Sequence, residues 1–493
     1  CALPILFMGQ TLTKRKKAGY AFGIFTESLL YNMFYTYYLT FLNEIVGIQP
    51  KYSSMIIFIS IAWDAVTDPM IGSYSDRPGV DKRKLMNKAI VPMAAFFILA
   101  WTSLGRDMFE AQWAKILFYV VVTMCIWIFY TMYTIPYYAV VAELTEDYDE
   151  RTQIRSNASL VNAGAIGLGN ILPALVPTVM IYVGKDNAYA IIAALISVMA
   201  IICGFVCTKS LKGVYHPKPM PENGVVKGGT KETFRAFGQI LKMKPAAIFL
   251  VFVFFFLAGS SMIQSNLTYM VVDCIGMNYD DGIAIVILSL VVSMAVVVPI
   301  VEKTAEKTDR RTACIIFFAI AIVGEVICKI VGLDVTVGKL RIMTVICPVL
   351  LGIGGGTFWT LFYSMGYDLV ELDEFKTGKR RESIITALPQ LVQKFGSAFG
   401  ILMAGQLLSA YGYDSSADVT TSEKTVVQLV TDPKIIDGME NISTIIPAAL
   451  IGVSLIALIV YPMTRKRVNA LMEQLGKKRA GKSYTTEGFE KLL

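Results

Sequence analysis

Residues 60–69 read Ser60-Ile61-Ala62-Trp63-Asp64-Ala65-Val66-Thr67-Asp68-Pro69, two aspartates inside an apolar block that runs from about residue 52 to 75. An ionised side chain at the centre of a bilayer costs roughly 3 kcal/mol on insertion scales, so two of them need a partner or a purpose. The default purpose is an ion or proton site, provided that the block crosses a membrane.

Composition says that it does. The chain is 55% apolar and 17% charged, against about 25% charged in soluble proteins. Its apolar residues fall in windows of about 20, the length a helix needs to span the hydrocarbon core. We read twelve, at residues 20–43, 52–75, 85–104, 112–142, 155–182, 187–208, 246–273, 281–301, 312–332, 339–369, 383–411 and 441–462. They are continuously apolar rather than alternating, which excludes a β-barrel. The expected fold is an all-α membrane protein of twelve transmembrane helices in two six-helix halves.

Basic residues set the expected orientation. Lys14 to Lys17 precede the first segment; further clusters follow the second, fourth, sixth, eighth, tenth and twelfth, ending with Arg465 to Arg479. By the positive-inside rule both termini and every even-numbered loop are cytoplasmic. The net charge of +7 is then topology, and nucleic acid is not called for. Six of the eight cysteines lie in apolar segments without a C-x-x-C pattern, so they read as small buried residues. The chain opens on Cys1, where a lipid-modified cysteine would fit poorly with a cytoplasmic N-terminus, and no cleavable signal is evident before the basic cluster.

The halves echo one another. Glu143-Leu144-Thr145-Glu146 and its sequel to Thr152 return as Asp368-Leu369-Val370-Glu371 and its sequel to Thr377, and Asp81-Lys82-Arg83 returns as Asp309-Arg310-Arg311. The expected organisation is a cytoplasmic N-terminus (1–19), an N-terminal half (20–208), a central cytoplasmic loop (209–245) rich in proline and glycine, a C-terminal half (246–463) and a cytoplasmic tail (464–493). Parallel repeats of this kind rock about a midplane site, giving alternating access.

On a helix, Asp64 and Asp68 lie one turn apart on one face, with Ser60 and Thr67 on or beside it. Pro69 cannot donate to the Ala65 carbonyl, which leaves another oxygen beside the carboxylates. Oxygen ligands favour a hard cation such as Na⁺, and the same carboxylates could instead carry a proton. Histidine takes no part, since the only one, His216, lies in the central loop. Lys394, well inside the eleventh segment, is the expected counter-charge when the cation is absent; a lysine snorkelling to the interface is the other reading.

These residues carry a family resemblance. Trp63 to Pro69 with Gly72, Asp76 and Arg77, then Ile135-Pro136-Tyr137 leading to Asp149-Glu150-Arg151-Thr152, then Glu374 to Glu382 leading to Lys394, resemble the signatures of the glycoside-pentoside-hexuronide:cation symporters. This is the melibiose permease group of the major facilitator superfamily. The resemblance implies symport of a sugar or glycoside with Na⁺, Li⁺ or H⁺. It implies cation ligands at Asp64, Thr67, Asp68 and Thr131, although melibiose permease has an asparagine where Thr67 stands. It also implies Na⁺ at Asp64 and Asp68, coupling through Lys394, and a sugar packed on Trp359.

The positions that bind galactoside hydroxyls in melibiose permease correspond to Ser28, Thr134 and Ala158, so melibiose itself is not expected. The candidate substrate residues are Glu27, Ser28, Tyr31, Asn32, Tyr130, Thr134, Tyr138, Trp359, Tyr363 and Gln390, whose aromatic faces, hydroxyls and amides suit a neutral glycoside. Tyr35 and Tyr38 read better as helix packing. Asp76, Arg77, Glu143, Arg151, Asp368 and Arg380 resemble an inner gate, in which Asp368, Glu371 or Asp373 would pair with Arg380 or Arg381.

Several other features read as structural. Glu325 and Lys329, one turn apart, read as an ion pair. Lys231 to Lys242 reads as an amphipathic helix on the inner face, Gly352 to Gly356 as a site of close helix packing, and the tail as flexible.

The expected protein is a monomer of the plasma (inner) membrane, surrounded by lipid, with a small-molecule partner and no covalent cofactor. Because lysolipid symporters share the architecture, an amphiphilic substrate is the alternative, followed by a non-transporting sensor. An enzyme is not expected, as no nucleotide loop, metal cluster or nucleophile arrangement occurs.

Overall fold

A computed structural model describes residues 13–75, 77, 79–144, 148–215, 230–274, 279–331, 336–337, 340–341, 343–378, 382–413, 432–487 and 489. The chain divides into two compact units, Cys1–Phe41 with Val66–Gly228, and Leu42–Ala65 with Gly229–Leu493.

The first unit draws on α1 (Lys14–Glu44), α2 (Pro50–Ser75), α3 (Lys82–Ala100), the short α4 (Leu104–Met108), α5 (Gln112–Leu144), α6 (Tyr148–Ala174), α7 (Val176–Val183) and α8 (Lys185–Ser210). The unit boundary falls within α2, between Ala65 and Val66. Asp81 caps α3 by accepting the Lys84 N–H at 3.0 Å, satisfying one of the donors that a helix start leaves open. The core here is aromatic. Trp101 stacks on Tyr189 at 5.6 Å and meets Tyr38 edge-on at 5.1 Å, and Tyr35 and Tyr38 are buried, as their packing role requires. Tyr20 and Tyr137 stack at 4.5 Å, and the Tyr20 hydroxyl donates to the Tyr137 carbonyl at 2.8 Å. At the far end of the unit Arg106 pairs with Asp186 at 2.8 Å. There the Ser103 hydroxyl and Arg106 together hold Asp107 below the usual carboxylate range.

The second unit contains α9 (Thr230–Leu241), α10 (Lys244–Thr268) with a wider π-type turn at Tyr269–Cys274, α11 (Tyr279–Lys307) and α12 (Arg310–Val331). A two-residue hairpin follows, β1 (Thr336–Val337) on β2 (Leu340–Arg341). It continues with α13 (Met343–Thr377), α14 (Glu382–Ala410), α15 (Pro433–Ser443), α16 (Ile445–Val460) and α17 (Arg465–Arg479). Phe256 is stacked between Phe318 and Phe358, at 4.7 and 4.4 Å, and so ties α10 to α12 and α13. Small residues let the helices touch: Gly352 and Gly356 bring α13 against the α11 backbone at Leu290 and Met294, and Gly396 and Gly400 bring α14 against α10 at Phe254 and Ala258.

Among the described residues nine helices are long and apolar enough to cross a membrane, ten if α6 and α7, bent by 43°, count as one span. α1 and α3 stand where the first and third of the twelve segments were read, but are not among the nine. The reasons differ: α3 is short and holds Lys82, Arg83, Lys84 and Lys88, whereas α1 is polar along its length, with Glu27, Asn32 and many tyrosines and threonines.

Three readings of the second unit are refined or corrected. Phe237 and Ile240 of α9 are buried in the core, so that part of this helix's apolar face covers protein. Lys329 does not pair with Glu325; it reaches Asp437 at 2.6 Å and Glu440 at 2.8 Å, carboxylates on α15 that water can partly screen, whereas Glu325 is 2% exposed. The tail is docked rather than loose. Phe489 is buried against Phe375 at 5.5 Å, Lys478 donates to the Phe375 carbonyl at 2.6 Å, and Arg479 meets Glu371 and Glu374 at 2.8 and 2.6 Å.

Candidate functional site

The site is built on α2, an apolar helix that keeps its course through Pro69. Proline lacks the N–H that would bond the Ala65 carbonyl, which leaves an acceptor beside the acids. In the first unit Thr131 of α5 is fully buried and its hydroxyl donates to Asp68 Oδ1 at 2.9 Å. In the second unit Lys394 of α14 donates to Asp64 Oδ2 at 2.6 Å, and Asp64 is only 1% exposed. A charge-assisted bond of this length neutralises a carboxylate that the apolar surroundings would otherwise penalise heavily. Thr67 is buried on the same helix.

The oxygens available along this helix are two carboxylates, hydroxyls and a proline-freed carbonyl, a hard donor set suited to an alkali cation rather than a soft metal. Among the described residues no group of three or more His, Cys, Asp or Glu gathers as a metal cluster.

The polar wall of the first unit runs along α1. Tyr130 donates to Glu27 at 3.2 Å, and Ser28 donates to Asn162 of α6. Asn32 donates to the Ser28 carbonyl at 2.8 Å and accepts from Asn170 at 3.2 Å; Asn170 in turn accepts from Thr36 at 2.9 Å. Tyr31 stacks on Tyr35 at 4.1 Å, and Thr134 is buried. Tyr138 is half-open, at 39% exposure. In the second unit Trp359 and Tyr363, one turn apart on α13, are 40% and 50% exposed, and Gln390 of α14 is exposed. Large aromatic rings left open are available for a ligand face or for lipid.

Asn162 and Asn170 escaped the sequence reading. Residues 155–182 hold three asparagines, Asn157, Asn162 and Asn170, beside Arg155, Ser156 and Ser159, so sequence alone does not single these two out.

Of the inner-gate candidates, Asp76 and Arg380 lie outside the described residues, as do the side chains of Glu143 and Arg151. Arg77 is exposed and stands over the Tyr74 ring at 5.8 Å. Asp368 takes a two-pronged contact from Arg310 at 2.7 and 2.8 Å, while Glu371 goes to Arg479; Arg381 too lies outside the described residues. The described partners of these acids thus come from α12 and α17.

Known proteins resemble the chain over nearly its whole length. The isoprimeverose transporter of Lactiplantibacillus pentosus is 22% identical, with 91% of this chain and 89% of that one covered. The inner membrane symporter YicJ of Escherichia coli is 22% identical, with 97% and 98% covered. Sodium-dependent lysophosphatidylcholine symporter 1-A of Danio rerio is 20% identical, with 87% and 81% covered. Among solved structures, the nucleoside transporter NupG shares the fold at a TM-score of 0.62 and 12% identity, covering 91% of this chain and all of that one. Residues 19–465 match the family described as MFS/sugar transport protein, and the helical architecture agrees with it. The chain is therefore a multi-pass membrane transporter, not an enzyme, and belongs to the MFS/sugar transport protein family.

Proposed function

We propose that this protein is a cation-coupled symporter of a sugar or glycoside, working by alternating access. The observation that carries the reading is the 2.6 Å pair between Lys394 and the buried Asp64, one helical turn from Asp68. A buried carboxylate needs a cation. Lys394 serves while the site is empty of one, and a coupling ion held by Asp64 and Asp68, with Thr67 and Thr131 beside them, takes over that role. Freed from Asp64, the ammonium can then turn its donors to substrate hydroxyls, so ion and sugar binding favour each other. The hard oxygen set supports Na⁺ or Li⁺ as the ion, and the relatives named as symporters, one of them sodium-dependent, support coupling. Open aromatic rings at Trp359 and Tyr363 and the amide and hydroxyl wall along α1 support a neutral sugar, as does the isoprimeverose-transporting relative.

Thermal-shift measurements with isoprimeverose and simple aryl glycosides, each with and without Na⁺ or Li⁺, test this. The expected result is a stabilisation by sugar that grows with the ion and vanishes in Asp64→Asn and Asp68→Asn. Stabilisation by lysophosphatidylcholine alone would replace the sugar with an amphiphile.

A further inference from the structure

Asn162 of α6 is half-buried and accepts the Ser28 hydroxyl at its Oδ1. An asparagine amide has an acceptor oxygen and two N–H donors. At Asn170, two turns along the same helix, the amide is used in full: it donates to Asn32 and to the Ile166 carbonyl and accepts from Thr36. Asn170 is a helix-to-helix clamp. Asn162 differs, because among the described residues its amide nitrogen donates to nothing, and the group is open enough to be reached. One turn earlier on α6, Ala158 has no polar side-chain atom to offer. A polar side chain in a membrane-spanning segment, with donors unspent beside a hydroxyl, points to a ligand.

We propose that Asn162 is a specificity-determining residue: its amide nitrogen donates to one hydroxyl of the transported sugar, with Ser28 holding the amide in that orientation. The inference rests on the sugar-symport reading above and deepens it by naming a residue that reads one hydroxyl. Ser28 and Asn162 together present a hydroxyl and an amide, neutral groups matched to a sugar hydroxyl. Binding sites that hydrogen-bond a particular hydroxyl discriminate strongly against the analogue that lacks it.

The test uses the full chain in proteoliposomes. Uptake of labelled isoprimeverose, xylose and glucose identifies the best-transported of these probes, and its monodeoxy analogues are then offered as competitors to wild type, Asn162→Ala, Asn162→Ser and Ser28→Ala. Asn162→Ala is expected to weaken the parent sugar by about tenfold, the size of one well-placed hydrogen bond. One deoxy analogue should compete equally against wild type and variant, while the others keep the full gap. Asn162→Ser, which retains a donor, should recover part of the loss and carries the test if the alanine variant does not fold. An equal loss for every analogue, accompanied by a lowered melting temperature in both Asn162→Ala and Ser28→Ala, would make Asn162 a structural clamp and overturn the proposal. Unchanged competition would overturn it as well. If wild type takes up none of the probes, the sugar reading falls and this inference with it; if wild type does and Asn162→Ala matches it throughout, only the inference falls.

Discussion

Asp64 and Lys394 form a pair whose worth depends on both members being present. Removing one partner of a buried ion pair leaves a charge stranded and costs about 3–5 kcal/mol, whereas replacing both is often near neutral. Lys394→Ala should therefore melt well below wild type in Na⁺-free buffer, and the Lys394→Ala/Asp64→Asn double variant should return most of the way; melting curves in detergent decide it. If Asp64 takes the coupling ion, added Na⁺ should raise the melting temperature of Lys394→Ala more than that of wild type. An equal rise would detach Asp64 from the ion. At Thr131 the contact is a neutral donor on Asp68, so Thr131→Ser should keep the apparent ion affinity and Thr131→Val should weaken it by about three- to tenfold, read from the ion dependence of uptake. Asp64, Asp68 and Lys394 could be picked out from sequence because charge inside an apolar segment is rare and needs explaining. Asn162 could not, because an amide is polar without being costly enough to stand out, and its unspent donor is visible only when its neighbours are placed.

The helices were legible wherever apolar residues ran without charges, and less so in α3, which begins among lysines, and α1, whose length is threaded with Glu27, Asn32 and tyrosines. Packing between helices was legible at Gly352 and Gly356, whose spacing of four puts both on one face of α13; the same spacing in α14 was not read that way. There Gly396 and Gly400 bring the helix onto backbone atoms of α10, at Phe254 and Ala258. Backbone cannot move aside as a side chain can, so Gly400→Val should cost about 1–3 kcal/mol or more from overpacking. The expected outcome is a lowered melting temperature and poor recovery of monodisperse protein, with Ala404→Gly as a mild control on the same helix. The tail shows how a composition argument misleads. A basic segment reads as solvated, yet Phe489 and the Lys478 and Arg479 contacts dock it on the C-terminal end of α13. Phe489→Ala should expose the tail to limited proteolysis after Arg479 while leaving the membrane domain intact; unchanged protection would mean the ion pairs hold it alone.

For the whole molecule, membrane insertion is a question of which charges remain behind. In the first unit Lys14 to Lys17, Lys82 to Lys84, Lys209 and Lys212 follow or precede apolar spans, and in the second Arg310, Arg311 and the α17 cluster do the same. The opposite helix ends of the second unit carry Asp437 and Glu440 around Lys329. Retaining lysine and arginine on the cytoplasmic side sets the orientation of such a protein, and acidic residues contribute little. The basic clusters thus predict which face opens to the cytoplasm, while the ion gradient sets the direction of net transport. In a variant with its native cysteines replaced, Ser483→Cys should react with a membrane-impermeant maleimide only in inside-out vesicles. Ser415→Cys, between the eleventh and twelfth apolar segments, should react only in right-side-out vesicles or intact cells. Labelling of Ser483→Cys from outside would overturn the expected orientation, although the ion gradient would still drive ion and sugar inward together.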